Sequence, residues 1–381
     1  MDKRTMGQTG EDVSILGFGC MRFPLTADKK IDEIEAEKLL DAAYAAGVNY
    51  FDTAWPYHEG TSEPFVGRVL NKYDRQSYYL ATKFPHWEVQ TKEDAKRIFE
   101  KQLERLDKDY IDFYLLHALG KDSWEKCVRL GIVELFDEMK AAGKIKHYGF
   151  SFHDEYDVFE TIMKYRKWDF VQIQLNYLDV DEQAGIKGYR LAEELGVPVI
   201  VMEPVKGGNL SHFPEEINSA MQKVDATKST ASWALRWVAD LPNVKLVLSG
   251  MTTMDQVKDN LATFSPFVPL TQEEHRAIDT VRDMLRKRVN NGCTACGYCM
   301  PCPYGVDIPW NFAAWNVYGI FRNPGDVLWQ WGFGDEEKKK AQNCVECGAC
   351  EEACPQHISI RKDLKRLQVE LDTVLATQKE G

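Results

Sequence analysis

From Val13 to Gly250, short apolar runs rich in β-branched and aromatic residues alternate with longer stretches in which apolar positions recur at three and four. Such alternation predicts βαβ units on a parallel sheet. Eight runs are present: Val13–Gly17, Val48–Thr53, Tyr78–Lys83, Ile111–His117, His147–Phe152, Phe170–Tyr177, Val197–Glu203 and Val244–Ser249. Between them, Asp32–Ala46, Thr91–Leu106 and Asp181–Leu195 carry the period of amphipathic helices. Eight strands with crossover helices predict an α/β fold closed as a (β/α)8 TIM barrel. An open doubly wound sheet competes, but it calls for a Gly-x-Gly-x-x-Gly turn after its first strand, and Gly17-Phe18-Gly19 lacks the third glycine. After the eighth run, Thr271-Gln-Glu-Glu274 has the form of a capping box and opens a charged helix to about Val289, expected to close the barrel. Beyond it the sequence turns to cysteine, proline and tryptophan, which places a domain boundary near Asn290: barrel over 1–289, second module over 290–381.

The length of 381 residues accommodates both parts. Lys and Arg total 47 against 59 Asp and Glu, a net charge of −12, so the basic footprint that nucleic acid requires is missing. The segment MDKRTMGQTGEDVS has no apolar core of signal-peptide length, and no stretch approaches the roughly 18 apolar residues of a membrane span. A soluble, cytoplasmic protein with no membrane partner is expected. Of ten cysteines, eight fall between Cys293 and Cys354, which in a chain without an export signal favours metal or cluster ligation over disulfides.

Reactive side chains of such a barrel sit where the strands end, because the loops there converge on one mouth. Three successive runs end in ionisable residues, YFD in Asp52, YYLATK in Lys83 and FYLLH in His117, and Tyr57 lies in the loop after Asp52. A lysine at the end of an apolar strand is costly to bury without a counter-charge, and Asp52 on the neighbouring strand is its natural partner. A cation beside a phenol lowers the tyrosine pKa from its reference near 10, and Tyr57 can then give a proton to a carbonyl oxygen. Singly, each residue has a structural explanation: an ion pair, a loop aromatic, a satisfied core histidine. Together, at the ends of strands two, three and four, they fit a general-acid site.

The segments GVNYFDTAWPYHEGTSEPFVGRVL, YLATKF, LERLDKDYIDFYLLH, KIKHYGFSF and ALRWV closely resemble the aldo-keto reductase superfamily, in order and spacing, over roughly residues 4–290. The resemblance implies a (β/α)8 barrel that passes hydride between a nicotinamide and a small aldehyde, ketone or alcohol. It makes Tyr57 the general acid, Asp52 and Lys83 the pair that tunes it, and His117 the group that orients the carbonyl.

Phosphate in such barrels often rests on the loops after strands seven and eight. Lys206-Gly207-Gly208-Asn209 and Gly250-Met251-Thr252-Thr253 occupy those places, and Gly19 lies at the mouth after strand one. The resemblance adds Ser151 and Gln174 as contacts to the nicotinamide amide, and Gln256 and Asn260 as contacts near the adenosine. By the same alignment, the aromatic that stacks on the nicotinamide falls at Met202, and the basic pair that clamps a 2′-phosphate falls at Gly250 and Gln256. A charge-assisted grip on that phosphate is lost. NAD(H), NADP(H) and a flavin remain open.

Cys344-Val-Glu-Cys347-Gly-Ala-Cys350-Glu-Glu-Ala-Cys354-Pro355 reproduces the bacterial ferredoxin run C-x2-C-x2-C-x3-C-P. Cys293-Thr-Ala-Cys296-Gly-Tyr-Cys299-Met-Pro-Cys302-Pro303 has the same three closely spaced thiols, with two residues before the fourth. In such paired runs the fourth cysteine conventionally serves the other cluster. On that logic Cys293, Cys296, Cys299 and Cys354 hold one [4Fe–4S] cluster, and Cys344, Cys347, Cys350 and Cys302 a second. Four-cysteine zinc sites are the alternative, but they need neither a third cysteine in each run nor Cys-Pro at both ends. The insert Pro303–Asn343, with its helical IPWNFAAWNVYGIF, is too long for a compact two-hairpin ferredoxin. It resembles the mainly helical ferredoxin-like module of multi-subunit reductases, and the whole chain resembles iron–sulphur aldo-keto reductases. Trp310, Trp315, Trp329 and Trp331 are expected to pack around the clusters. Cys20, near the mouth, and Cys127 read as packing thiols.

Two functions follow. One is an oxidoreductase that joins hydride-type carbonyl chemistry to single-electron transfer through the clusters, with room for a redox protein partner. The other is a non-catalytic barrel that serves as a docking or sensing module for an electron relay.

Overall fold

A computed structural model describes residues 1–328, 331 and 339–379. Trp329 lies outside the described residues. The chain divides into two compact units, residues 1–212 with 225–275, and residues 213–224 with 276–381.

The strands are β1 (Lys3–Thr5), β2 (Asp12–Ser14), β3 (Leu16–Gly19), β4 (Tyr50–Asp52), β5 (Tyr79–Phe84), β6 (Ile111–Leu119), β7 (Ile145–Phe152), β8 (Val171–Gln174), β9 (Val199–Met202) and β10 (Val244–Ser249). β3 to β10 pair in sequence order, all parallel, and β10 returns to β3 to close the barrel. The first predicted run, Val13–Gly17, is split. Ser14 exchanges hydrogen bonds with Asn49 and donates to the Leu16 carbonyl, which turns the chain there. β2 therefore pairs antiparallel with β1, and the barrel strand begins at Leu16. Met6 and Val13 of this hairpin join Tyr50, Phe113, Phe170, Ile200 and Leu246 inside the barrel. A second, larger core lies outside the sheet, between strands and helices.

Local chemistry sets the helix starts. Asp32 caps Glu33–Ala45 by accepting from the Glu35 amide, and Thr91 with Asp94 forms a capping box before Lys92–Leu106. The third predicted helix starts later, at Gly185 and not Asp181. Gln183 and Gly185 both adopt left-handed backbone, which interrupts the helical period. Gly149 shows how closely β7 and β8 approach: a Cβ there would stand 2.1 Å from the Phe170 carbonyl oxygen. The Thr271–Glu274 capping box is present and opens a helix over Gln272–Arg286, and Glu274 makes a buried 2.6 Å ion pair with Arg236.

In the second unit, IPWNFAAWNVYGIF is a helix, Ile308–Phe321, with Asp307 as its N-cap. It shares a core with Ile360–Lys379 through Phe312, Trp315, Leu364, Leu367 and Leu371. Trp315 and Trp331 are fully buried, their ring N–H groups donating to Glu370 and Asn311. An indole in a core needs such an acceptor, and these two find theirs on helices. Among the described residues no helix is long and apolar enough to cross a membrane.

Candidate functional site

Asp52, Lys83 and His117 stand at or near the carboxyl ends of β4, β5 and β6. Lys83 is 1% exposed. Its Nζ donates to Asp52 Oδ1 at 2.6 Å, to the Thr53 carbonyl at 2.8 Å and to the Tyr57 hydroxyl at 3.2 Å. Burial works against the ammonium, but the attraction of Asp52 and Tyr57 outweighs it and holds the Lys83 pKa above its ordinary value. The outcome at Tyr57 differs from the expectation. Burial raises the phenol pKa by more than Lys83 lowers it, so the hydroxyl keeps its proton at neutral pH. Acidification by the lysine is present only as the smaller, opposing effect.

A β-bulge aims His117. Leu116 pairs with Phe150 and Leu119 with Phe152, so His117 and Ala118 together oppose Ser151. Ala118 is left-handed, and its amide donates to Ser151 Oγ at 2.8 Å. The His117 ring stands edge-on to Tyr57, with centroids 6.2 Å apart, and Trp87 packs against it at 5.2 Å. Burial, and then the Lys83 ammonium, push the imidazole well below its usual pKa, and Nδ1 has no hydrogen-bond partner among the described residues. The site therefore groups a protonated phenol, a buried ammonium, its carboxylate and a neutral imidazole. His117 is already neutral and Tyr57 still protonated between about pH 6.5 and 10. The kcat/KM of a reaction that draws its proton from Tyr57 is expected to be level over that range. An inflection near pH 6.5 that disappears in His117→Gln would contradict this assignment of charges.

In the second unit, Cys293, Cys296, Cys299 and Cys354 line one small cavity with Ile308, Pro309 and Phe312. Cys302, Cys344, Cys347 and Cys350 line another, of about 140 Å³, which Cys299 also borders. Each cavity thus gathers thiols from both runs, a donor set that fits an iron–sulphur cluster. No described tryptophan lines either one; Trp310, Trp315 and Trp331 belong to the helical core beside them. Cys20 and Cys127 are buried.

Residues 15–283 match the aldo/keto reductase family, and residues 292–358 match the 4Fe-4S dicluster domain. The chain belongs to the aldo/keto reductase family. An aldo-keto reductase of Bacillus halodurans, solved in its holo form, is 30% identical with a TM-score of 0.63, covering 74% of this chain and 96% of that one. An uncharacterized oxidoreductase of Bacillus subtilis is 28% identical over 312 residues, 74% of this chain and 96% of its own length. L-galactose dehydrogenase of Arabidopsis thaliana is 27% identical over 296 residues, 72% and 91% of the two chains. This aldo-keto reductase is an oxidoreductase that carries a 4Fe-4S domain.

At the mouth of the reductase barrel, Ser151 is buried and its Oγ already accepts the Ala118 amide. Gln174, partly exposed, accepts from Gln183, which also meets His153. After β9, Lys206 pairs with Asp179 at 2.6 Å, while Gly207 and Gly208 have positive φ and open space where a Cβ would be. That bare backbone suits the close approach of a phosphate. After β10, Gln256 caps its helix by accepting the Thr252 and Thr253 amides. Asn260 is buried and donates to Ser249, and the Met251 side chain lies in the core. Of the nucleotide contacts expected after β10, then, Gly250 and Thr252 stay at the surface, while the side chains of Gln256, Asn260 and Met251 have other partners. Gly19 lies against the Ser249–Gly250 backbone, 3.4 Å from where its Cβ would be.

Several residues escaped the sequence reading. Arg22 lays its stem over Gly250, where a Cβ would come within 2.8 Å of its Cγ, and its carbonyl accepts from Thr252. An exposed cation thus stands beside the loop whose own basic pair is missing. Glu63 is fully buried, accepts from Thr82 and Gln102, and pairs with Arg105 at 3.0 Å. Arg105 in turn donates to the Trp55 and Gly60 carbonyls and stacks on the Trp55 ring, which anchors the loop that carries Tyr57. A glutamate on the apolar face of Ser62–Leu70 was the available signal. Trp87 had none beyond its place after β5. A cleft of about 940 Å³ lined by Tyr73, Phe99, Lys108, Tyr110 and Met139 contains none of these groups.

Proposed function

We propose that the barrel interconverts a small carbonyl compound and its alcohol with a nicotinamide dinucleotide, and that the iron–sulphur unit, from about Asn290 onward, exchanges single electrons with a redox partner. One observation carries the first half: a lysine 1% exposed, paired at 2.6 Å with Asp52, donates to the Tyr57 hydroxyl at 3.2 Å beside a neutral histidine. When bound, the reduced nicotinamide supplies the hydride.

The chain supplies the remainder. Tyr57 gives its proton to the carbonyl oxygen. Lys83 stabilises the phenolate left behind, and Asp52 keeps that lysine charged in a buried setting. The ring of His117 orients the same oxygen. Ser151 and Gln174 would face the nicotinamide amide; Gly207, Gly208, Gly250 and Thr252 would offer backbone to the diphosphate, with Arg22 supplying the charge. With Gly250 and Gln256 where a 2′-phosphate clamp would be, NADH suits the site at least as well as NADPH. L-galactose dehydrogenase among the relatives supports an alcohol–carbonyl reaction.

For the second half, Cys293, Cys296, Cys299 and Cys354 would hold one [4Fe–4S] cluster, and Cys302, Cys344, Cys347 and Cys350 the other. Clusters carry one electron each, whereas a carbonyl takes two electrons and two protons. A two-electron carrier in the barrel is therefore required between them. Protein purified without oxygen is expected to be brown, with about eight irons per chain, and to quench or enhance NADH fluorescence on titration. Colourless protein containing zinc would overturn the cluster assignment. Protein that binds neither NADH, NADPH nor FMN in such a titration would overturn the coupled scheme.

A further inference from the structure

The two cysteine cavities differ in the ionised groups that line them. The one lined by Cys293, Cys296, Cys299 and Cys354 is otherwise walled by Thr294, Gly297, Gln356, prolines and apolar side chains, with no ionised group. The cavity of Cys302, Cys344, Cys347 and Cys350 has two, Arg361 and Glu346. Glu346 is paired with Lys365 at 2.7 Å, and because Lys365 does not line the cavity, that pair turns its negative end toward the thiols. Arg361 is held by Glu351, whose Oε2 accepts from Nε at 2.9 Å and from Nη2 at 2.7 Å, while Oε1 accepts the Arg361 amide at 2.9 Å.

That clamp has a direction. Glu351 does not line the cavity and Arg361 does, so the ion pair presents its positive end to the thiols. The outer nitrogen, Nη1, has no hydrogen-bond partner among the described residues, and the guanidinium lies against Gly348, between Cys347 and Cys350. A Cβ on Gly348 would lie 3.7 Å from both Nη1 and Cζ, and the glycine is left-handed, with φ +87°. Glycine thus brings the cysteine loop against a fixed guanidinium.

We infer that Arg361, oriented by Glu351, raises the reduction potential of the cluster held by Cys302, Cys344, Cys347 and Cys350, against the opposing charge of Glu346. The inference rests on the cluster assignment proposed above. Each cluster gains one electron on reduction and becomes more negative by one charge, and a cation at the wall stabilises that form.

The test is an anaerobic potentiometric titration of the whole protein, with dithionite as the one-electron donor and the electron paramagnetic resonance signal of each reduced cluster as the readout. The wild type is expected to show two midpoints. Arg361→Gln should lower one of them by about tenfold in the reduced-to-oxidised ratio, which is about 59 mV for one electron, and leave the other in place. Arg361→Lys, which keeps the charge, should recover much of the shift. If Arg361→Gln loses iron, Glu351→Gln replaces it: removing the clamp's negative charge should raise the same midpoint. Midpoints unchanged in Arg361→Gln with iron intact, or in Glu351→Gln, would overturn the role of Arg361 alone. Wild-type protein without iron would instead overturn the cluster assignment.

Discussion

Tyr57→Phe is expected to lose roughly 10²- to 10⁴-fold in kcat for carbonyl reduction, the usual worth of a positioned general acid, while iron content and NADH binding stay at wild-type values. The substitution removes one oxygen and little else. The ring keeps its place over Lys83 Nζ, 4.8 Å from its centroid, and beside His117. Lys83 keeps Asp52 and the Thr53 carbonyl as partners, so no buried charge is stranded. Steady-state reduction of a small aldehyde measures the effect. Unchanged reduction would mean that the phenol gives no proton, and would favour the reading of the barrel as a docking module for the relay.

The barrel was legible because its strands are bracketed by turn chemistry and its helices by caps that act within a few residues. Asp32, Thr91 and Thr271 all cap the helices that follow them. What escaped the sequence depends on partners distant along the chain. The break after Ser14 is set by Asn49, and the hairpin that fills the barrel floor by contacts with Phe113 and Phe170. Asp181 begins an amphipathic pattern, yet two left-handed residues postpone the helix so that Gln183 can meet Gln174 and His153. A helical period cannot report a backbone sign change.

The site shows the same division. Strand ends in a parallel barrel converge whatever the loops do, so Asp52, Lys83 and His117 could be grouped from their positions alone. Their charge states could not. Whether Tyr57 is made more or less acidic depends on burial against the lysine field, and here burial is the larger. Nor could the sequence reveal Arg22, because its place beside Gly250 comes from the pairing of β3 with β10 across the barrel's closure.

Asp52→Asn is expected to destabilise the barrel by about 3–5 kcal/mol, the usual cost of stranding one member of a buried pair, and to reverse the sign of its pH dependence. In the wild type the folded-state pKa of Lys83 is raised, so the pair's contribution is complete below the unfolded lysine value of about 10.4 and fades only as the pH rises through the folded value. With the carboxylate gone, burial is the dominant influence left, and it depresses the folded pKa below the unfolded one. The unfolded chain then binds more protons, and stability should rise as the pH climbs from about 7 to 9.5, where the wild type stays level. Urea midpoints at the two pH values measure both effects. Asp52→Leu with Lys83→Met removes both charges, so stability should return toward wild type while reduction remains lost, since the phenol then has no cation to balance its phenolate. An Asp52→Asn protein with the wild-type midpoint and a level pH response would show that Lys83 is not held charged by Asp52, and Tyr57 would lose the neighbour on which its proton transfer depends.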